Sequence, residues 1–353
     1  IRIFDALNDT RNMKQAMDSC KKYGGICEAT ISYTTSPVHT NEYFIKLAKE
    51  LEDMGADIIC IKDMAGILLP YTAYDLVKGI KKVVKVPVHL HTHQTSGTGN
   101  LTYLKAIEAG VDIIDCALSA MGNGTSQPAT EPMVAVLQGT EYDTGLDLKA
   151  LNELSSYFDK VADRLKKDGW LTEKSLKTDV RALIYQVPGG MLSNLVGQLK
   201  KLGAMDRYDE VLAEVPNVRK DLGYPPLVTP TSQIVGTQAV FNVISGERYK
   251  MVSAETKDVL RGKYGRLPAA PDPEIVKKVL GDEKPITCRP ADLIKPELAS
   301  YREEIKEYIE QDEDVLSYAL FPQVAINYFK YRQANKYKVD SEIGDTVNGI
   351  QPV

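Results

Sequence analysis

The sequence contains few cysteines, and no two of them form a C-x-x-C pair. Their count of five is odd, so neither a disulfide framework nor a structural zinc knuckle is predicted. Cys60 and Cys116 lie in apolar segments and are predicted to be buried, reduced thiols. This cysteine usage fits a reducing, cytoplasmic compartment.

Long apolar runs and an excess of basic charge are also missing. No run approaches the roughly 20 apolar residues that a membrane-spanning helix needs. The formal net charge is −5, which gives no reason to expect nucleic acid or an anionic membrane surface as a partner. The sequence also has no nucleophile elbow, phosphate-binding loop or dinucleotide fingerprint.

Residues 1–147 instead alternate short apolar segments with amphipathic ones. The segments RIFDA, CEATISYT, DIICIKDMAG, VPVHLHTH and DIIDCALS are typical of buried parallel strands. Between them, Phe44, Leu47, Ala48 and Leu51 recur at helical spacing. MGADIICIKDMAG and AGVDIIDCALSAMG form a weak internal repeat. The alternation predicts an α/β fold, either a doubly wound sheet or a (β/α)8 barrel.

After residue 147 the pattern is helical only. Helices are predicted at 148–167, 195–215, 232–245, 273–280, 296–310 and 313–335. The predicted organisation is an α/β part over residues 1–147, a helical part over 148–340 and a polar tail over 341–353. The first residue is isoleucine, and we expect the sequence to begin inside a longer chain. A barrel would then need about three further βα units before Ile1.

Three of the four histidines lie within five consecutive residues, in the segment HLHTH. Alternate residues of a strand share a face, so His89, His91 and His93 are predicted to point the same way. An H-x-H pair at a strand end suits a divalent metal that has at least one more ligand. The alternative is an ordinary core imidazole. That alternative fits His89 best, because it lies deepest in the strand and is expected to pack or to bond to the backbone.

Lys62 ends an apolar strand and shares a face with Cys60. A buried lysine is costly to keep charged. It needs a counter-charge, a lowered pKa or a modification such as the addition of CO2, which gives a carbamate that can bind a metal through oxygen. The residues alone leave a structural ion pair and a functional lysine open.

The segment LVTPTSQ holds Thr229 and Thr231. Hydroxyl side chains commonly open turns and cap helices, and this is the simplest interpretation of both threonines. Spacing alone assigns no chemistry to either residue.

Six motifs, taken in order, resemble the carboxyltransferase region of biotin-dependent carboxylases. They are FDALND, CIKDMAG, HLHTHQTSG, VPGGMLSNL, VTPTSQIVGTQAV and ITCRPADL. The likeness covers nearly the whole sequence and is strongest to the oxaloacetate decarboxylase alpha chain and the pyruvate carboxylase B subunit. It implies a (β/α)8 TIM barrel, of which strands four to eight are present here, followed by an all-helical funnel.

The resemblance also implies a metal centre and a proton relay. The lysine of the K-D-M-A-G motif, here Lys62, would be carbamylated and would bind a divalent metal together with His91 and His93. Zinc is expected, with manganese or cobalt as alternatives. The threonine of the V-T-P motif, here Thr229, would carry a proton between substrate and biotin.

Other positions correspond to binding surfaces of the family. Ser232 and Gln233 would border the biotin pocket together with Thr229, and Asp5 would border the substrate pocket. The family's metal-binding aspartate from its first strand, its substrate-binding arginine from its third strand and its biotin-carrying module have no counterpart in this sequence. Biotin is therefore expected on a carrier domain that is either separate from this chain or missing from this sequence.

These features predict a cytoplasmic enzyme that transfers a carboxyl group between oxaloacetate or pyruvate and biotin. In many pyruvate carboxylases the position of Gln233 is a lysine, which favours the oxaloacetate decarboxylase alpha chain over the pyruvate carboxylase B subunit. Expected partners are the biotinylated carrier, a second copy of the chain and membrane-bound pump subunits, which would give a peripheral membrane location. The other interpretations are a lyase or aldolase-type metal barrel with H-x-H and a truncated, non-catalytic scaffold.

Overall fold

The computed structural model describes residues 1–172 and 176–338. It contains two compact units, Ile1–Pro290 and a second that starts at Ala291. The predicted polar tail at 341–353 lies outside the described residues. The predicted limit between an α/β part and a helical part at residue 147 falls inside the first unit and stays a prediction.

Five parallel strands form one sheet, and neighbours along the chain are neighbours in space. The strands are β1 (Arg2–Phe4), β2 (Glu28–Ser32), β3 (Ile58–Asp63), β4 (Val88–Thr92) and β5 (Ile113–Ile114). Helices connect them, because a parallel pair needs a crossover. These helices are α1 (Thr10–Lys22), α2 (Asn41–Asp53), α3 (Pro70–Val83) and α4 (Gly99–Glu108). The five predicted strands and the α/β class are confirmed.

The two faces of the sheet have opposite character. One face is covered by helices and consists of fully buried apolar side chains: Ala29, Ile31, Ile59, Ile61, Val88 and Leu90. The strand register pairs Cys60 with His89 and Lys62 with His91, and alternation places these four side chains on the other face. The thiol, amine and imidazole groups of the strands therefore lie on one face of the sheet.

The rest of the first unit is helical. Its helices are α5 (Thr130–Leu137), α6 (Leu148–Lys167), α7 (Arg181–Tyr185), α8 (Gly189–Lys201), α9 (Tyr208–Asp221), α10 (Thr231–Ser245), α11 (Ala254–Leu260) and α12 (Pro273–Leu280). Helices α8, α9 and α10 share an apolar core that includes Leu195, Val215 and Val235. The second unit contains α13 (Leu298–Glu304), α14 (Asp312–Leu320) and α15 (Pro322–Tyr337). In the part of the chain that is described, no helix has both the length and the apolarity to cross a membrane.

Three predicted helices are wrong in extent. The segment 195–215 is divided between α8 and α9, because the chain turns at Gly203 with φ of 64°, a conformation that ends helices. The segment 313–335 is divided between α14 and α15, which starts at Pro322. Proline has no N–H and starts a helix more readily than it continues one. The segment 296–310 shortens to α13.

A buried carboxylate fixes the loop that follows β3. Asp63 accepts hydrogen bonds from two backbone N–H groups of this loop at 2.8 and 3.1 Å, and from the hydroxyl of Thr92 at 2.7 Å. These bonds hold the loop against the end of β4. Within the loop, Gly66 has φ of +67°, and a Cβ atom there would lie 2.5 Å from the carbonyl oxygen of His93. The loop therefore packs directly on the backbone that carries the last histidine.

Replacing Gly66 with alanine tests this close approach. Gly24 is a matched control, because its φ is +75° and a Cβ atom there would have no neighbour within 4 Å. Gly24→Ala should lower the free energy of unfolding in urea by about 1–2 kcal/mol, the cost of a left-handed alanine. Gly66→Ala adds a steric clash and should lower it by about 2–5 kcal/mol. Equal losses of unfolding free energy in the two variants would show that the backbone at His93 moves aside for the Cβ atom at no measurable cost.

Candidate active site

One arginine, two carboxylates and one histidine form a network on the polar face of the sheet. Arg2 of β1 lies 2.9 Å from Glu28 of β2 and 2.9 Å from Asp115, which follows β5. His89 of β4 contacts the same two carboxylates, with Nδ1 at 2.9 Å from Glu28 and Nε2 at 2.9 Å from Asp115. Both ring nitrogens therefore face carboxylate oxygens of the network, and neither is directed at the Nε2 atoms of His91 and His93. His89 bonds to side chains rather than to the backbone.

Glu28, Cys60 and His89 also place potential metal-binding atoms within 4.8 Å of one another. A cation at this point would lie beside the guanidinium of Arg2, and Coulomb repulsion opposes that. Burial raises the pKa of the Cys60 thiol, which opposes formation of the thiolate that binds metals. We therefore assign these residues to the charge network.

His91 and His93 turn their Nε2 atoms toward each other, 3.1 Å apart. On the far side of the rings, His91 Nδ1 donates to Asp115 at 2.7 Å, and His93 Nδ1 donates to the carbonyl oxygen of Thr125 at 2.6 Å. A carboxylate and a carbonyl oxygen accept hydrogen bonds, so each Nδ1 carries the proton and each Nε2 carries a lone pair. Converging lone pairs with such outer partners are usual for imidazoles that bind a metal.

Hydrogen bonds and burial set the protonation states of Asp115 and His93. Burial opposes ionisation of Asp115, but hydrogen bonds from His89 and His91 outweigh it and hold the pKa of Asp115 well below its usual range. Burial lowers the pKa of His93 to about 4. The His93 ring is therefore neutral at neutral pH and has no proton to lose before it binds a metal.

Lys62 lies beside this pair without a counter-ion. Its Nζ atom lies 3.6 Å from the sulfur of Met64 and 4.6 Å from the centre of the Phe4 ring. Among residues 1–172 and 176–338, no carboxylate forms an ion pair with it, so the structural ion pair considered from the sequence is not observed. Burial and the nearby charge of Arg2 lower the pKa of Lys62. Both effects increase the fraction of neutral amine, the form that reacts with CO2.

A cavity of about 290 Å³ joins the sheet to the helices that follow it. It is lined by Met64, His93, Thr125, Pro188, Gly189, Gly190, Met191, Asn194, Thr229, Ser232 and Gln233. The structure thus brings Thr229, Ser232 and Gln233 together with His93 across well over a hundred residues of sequence. A larger cavity of about 400 Å³ lies between Arg11 and the segment 265–271 and contains none of the predicted site residues.

The two threonines of the VTPT motif have different surroundings. Thr231 is buried, and its hydroxyl donates to the carbonyl oxygens of Pro226 and Val228, the latter at 2.7 Å. Thr229 is exposed to the cavity, and its hydroxyl has no hydrogen-bond partner among the described residues. Neither side chain caps α10, so the capping interpretation is wrong for both. A free hydroxyl at the cavity wall is available to a ligand.

Asp5 lies outside this cavity. Its carboxylate accepts hydrogen bonds from the backbone N–H groups of Leu7 and Asp9 at 2.9 and 3.0 Å, and from the side-chain amide of Asn12 at 2.9 Å. Asp5 therefore stabilises the turn that leads into α1, and its place in a substrate pocket stays a prediction.

Three contributors to the site were not found from the sequence. Asp115 and the carbonyl of Thr125 hold the two imidazoles, and the side-chain nitrogen of Gln127 lies 3.3 Å from His93 Nε2 and 3.5 Å from His91 Nε2. Asp115 had one available signal, since it follows the strand next to the HLHTH segment. Thr125 and Gln127 lie in an irregular loop, where no periodicity marks them.

Comparisons with known proteins identify the family. A profile described as a conserved carboxylase domain matches residues 182–350, and a profile described as HMGL-like matches residues 6–157. The pyruvate carboxylase B subunit of Methanocaldococcus jannaschii is 55% identical over 332 residues, which cover 93% of this chain and 58% of that protein. The methylmalonyl-CoA carboxyltransferase 5S subunit of Propionibacterium freudenreichii is 48% identical over 345 residues, with 96% and 67% covered.

The solved structures agree. The carboxyl transferase domain of Rhizobium etli pyruvate carboxylase with pyruvate and biocytin has a TM-score of 0.88 at 33% identity, and the match covers 95% of this chain and 59% of that one. Fold and site define an α/β protein with an imidazole pair at the carboxyl end of its sheet. The chain belongs to the carboxyltransferase family of biotin-dependent carboxylases, which confirms the resemblance. It spans 58% of the length of the pyruvate carboxylase B subunit that it matches.

Replacing Asp115 with asparagine tests whether its carboxylate fixes the tautomer of His91. The amide can present a donor to the ring, so the tautomer with a free Nε2 is no longer enforced, and the affinity for a divalent metal should fall about 10- to 100-fold. Asp112→Asn is the matched control, because Asp112 bonds to Lys81 at 2.7 Å and to the backbone of Val88. The measurement is metal competition against a chromophoric chelator. Equal affinities in the two variants would contradict the role given to Asp115.

Proposed function

We propose that this chain carries the carboxyltransferase centre of a biotin-dependent carboxylase and moves a carboxyl group between biotin and pyruvate. One observation carries the proposal. His93, whose Nε2 lies 3.1 Å from that of His91, and the free hydroxyl of Thr229 border the same cavity, so a metal-bound keto acid and a proton relay would meet there. The relatives from Methanocaldococcus jannaschii and Methanothermobacter thermautotrophicus, each named as the B subunit of a pyruvate carboxylase, support the choice of substrate.

The fold context is part of the proposal. The five parallel strands would be strands four to eight of a (β/α)8 barrel, and residues 148–340, which follow them in the chain, would be the helical funnel domain. The similarity to carboxyl transferase domains at TM-scores of 0.86–0.88 supports this arrangement. In such barrels, active sites lie at the carboxyl ends of the strands, where Lys62 and His93 are found.

The preference for the oxaloacetate decarboxylase alpha chain is not confirmed. It depended on Gln233 alone, whereas the relatives point to the alternative, the pyruvate carboxylase B subunit. We therefore propose carboxylation of pyruvate as the main direction. The decarboxylase interpretation also underlay the expected pump subunits and the peripheral membrane location, and these are not part of the proposal.

The donor set suits a divalent metal. His91 and His93 would bind it through Nε2, and Lys62 would bind it as a carbamate, whose formation is helped by the lowered pKa of its amine. When bound, the metal would act as a Lewis acid on the keto oxygen of the substrate and stabilise the charge of the enolate. Zinc fits imidazole and carbamate donors, with manganese or cobalt as alternatives.

Thr229 would carry the proton. In the carboxylation direction its hydroxyl would receive a proton from the methyl carbon of pyruvate and pass its own proton to the biotin nitrogen. Ser232 and Gln233 line the same wall of the cavity and would border the biotin ring. A biotinylated carrier domain is the partner that this arrangement requires.

A lyase-type metal barrel remains the second candidate, because the HMGL-like profile covers residues 6–157. It would explain the H-x-H pair. It does not explain why an unpaired lysine lies beside the two histidines. It also assigns no role to residues 182–350, which match the conserved carboxylase domain and contain Thr229. A non-catalytic scaffold would likewise give no reason for this grouping.

Thr229→Ala is the direct test of the proposed function. Loss of the relay should reduce the release of pyruvate from oxaloacetate in the presence of free biotin by about 10²- to 10⁴-fold, with the metal content unchanged. Thr229→Ser keeps the hydroxyl and should retain much of the activity. Thr237→Ala is the control, because Thr237 lies on α10, which follows Thr229, and its hydroxyl bonds to Gln198 at 3.2 Å. Near-normal turnover of Thr229→Ala would exclude the relay.

The carbamate can be tested independently of turnover. In protein equilibrated with ¹³C-bicarbonate, a carbamate carbonyl resonance should be present and should disappear in Lys62→Ala. It should persist in Lys82→Ala, because Lys82 is exposed on α3. Metal content should fall about tenfold or more in Lys62→Ala. A resonance that survives in Lys62→Ala would assign the modification to another amine.

A further inference from the structure

Arg219 of α9 is a buried cation whose side chain bonds only to uncharged oxygen atoms among the described residues. It is 4% exposed, and burial lowers the pKa of its guanidinium to about 10. The acceptors are two backbone carbonyls, one hydroxyl and one side-chain amide. Burying a charge without a counter-ion reduces stability, and no function described above accounts for it.

The hydrogen bonds of Arg219 reach three separate segments of the chain. Nε donates to the carbonyl oxygen of Pro225 at 3.0 Å, and Nη2 donates to the hydroxyl of Thr34 at 2.8 Å. Nη1 donates to the carbonyl oxygen of Thr35 at 2.9 Å and to the side-chain oxygen of Gln186. The planar guanidinium has donors on three nitrogens and can bond in all these directions at once, which a single ammonium group cannot do.

One of these segments is the loop that leaves the sheet after β2. Thr34 and Thr35 open this loop, and the residue before them, Tyr33, donates its backbone N–H to the carbonyl oxygen of Lys62 at 2.9 Å. The loop is therefore bonded to β3 at the residue that is proposed to bind the metal. Through this loop, Arg219 is tied to the carboxyl end of the sheet.

The other two segments lead to the helical wall of the cavity. Gln186 precedes residues 188–191, and Pro225 precedes Thr229 by four residues. Residues 188–191 and Thr229 all line the cavity. A group that holds Gln186 and Pro225 against the end of the sheet therefore sets where Thr229 lies relative to the proposed metal site.

We propose that Arg219 is a positioning residue for carboxyl transfer, which fixes the hydroxyl of Thr229 at its distance from the substrate. The inference rests on the proposed function, in which Thr229 carries the proton. Arg219 does not line the cavity, so it acts through the segments that it holds. A displacement of about 1 Å caused far from the reacting atoms can lower a rate about 100-fold.

A purely stabilising role is the alternative, and Arg248 supplies the matched control. Its guanidinium bonds to Glu214 and Asp221, both at 2.6 Å, and so joins α9 to the segment that follows α10. Within the described residues it holds the same helix as Arg219 but not the loop after β2. Lysine in either place keeps the positive charge and removes the planar fork of donors. Only Arg219→Lys should then alter the position of Thr229.

The test measures kcat and KM for the release of pyruvate from oxaloacetate by the full chain with free biotin, in H2O and in D2O. Arg219→Lys should lower kcat about 10- to 100-fold, with KM and metal content unchanged. It should also raise the solvent deuterium isotope effect on kcat, because proton transfer through the hydroxyl then limits the rate. Arg248→Lys should keep the parent's kcat and isotope effect. A variant that only reduces the folded fraction would lower kcat and leave the isotope effect unchanged.

Thr34→Val and Thr34→Ser keep the inference testable if Arg219→Lys does not fold. Valine removes the oxygen that accepts from Nη2, whereas serine keeps it, so kcat should fall and the isotope effect should rise in Thr34→Val only. The parent's isotope effect in Arg219→Lys, or in Thr34→Val if the lysine variant does not fold, would overturn the positioning role alone. A parent chain that shows no biotin-dependent release of pyruvate would overturn the proposed function and this inference with it.

Discussion

The carboxylate of Asp115 is the group on which the rest of the polar face depends. It receives His89 at 2.9 Å, His91 at 2.7 Å and Arg2 at 2.9 Å, so it links β1, β4 and the end of β5. Removing a carboxylate even partly from water is costly unless it is paired, and here each partner is in turn held by it. The contact with His91 also fixes which ring nitrogen faces His93. One anion therefore sets both the stability of the network and the chemistry at its edge.

Lys62 shows the opposite arrangement. It lies on the same face as this balanced network, yet no described carboxylate pairs with it, and Arg2 repels it. Burying an unpaired cation reduces stability, and perturbed groups of this kind collect at functional sites. This loss of stability is accounted for if the charged amine is not the form in which Lys62 functions. A carbamate would turn an uncompensated positive charge into a negative ligand beside two neutral imidazoles.

The cavity unites two parts of the chain that fold for different reasons. The sheet end is positioned by strand register and by the hydrogen bonds of Asp63, whereas Thr229 and Ser232 are positioned by the packing of α8, α9 and α10 around their apolar core. Because the hydroxyl of Thr231 turns back to the backbone, Thr229 alone of the two threonines is free to meet a ligand. Packing on both sides therefore positions the side chains that line the cavity.

The sequence by itself determined the strands, the common face of Lys62, Cys60, His89 and His91, and the family, because alternation and motif order are local properties of the chain. Only the tertiary structure decided which histidines present lone pairs. That choice depends on Asp115 and on the Thr125 carbonyl, which lie 24 and 32 residues from the rings they orient. It also decided that Asp5 holds a turn and that Gln127 meets both rings. Hydrogen bonds between distant segments have no period in the sequence, so register and packing had to bring the partners together before their chemistry could be assigned.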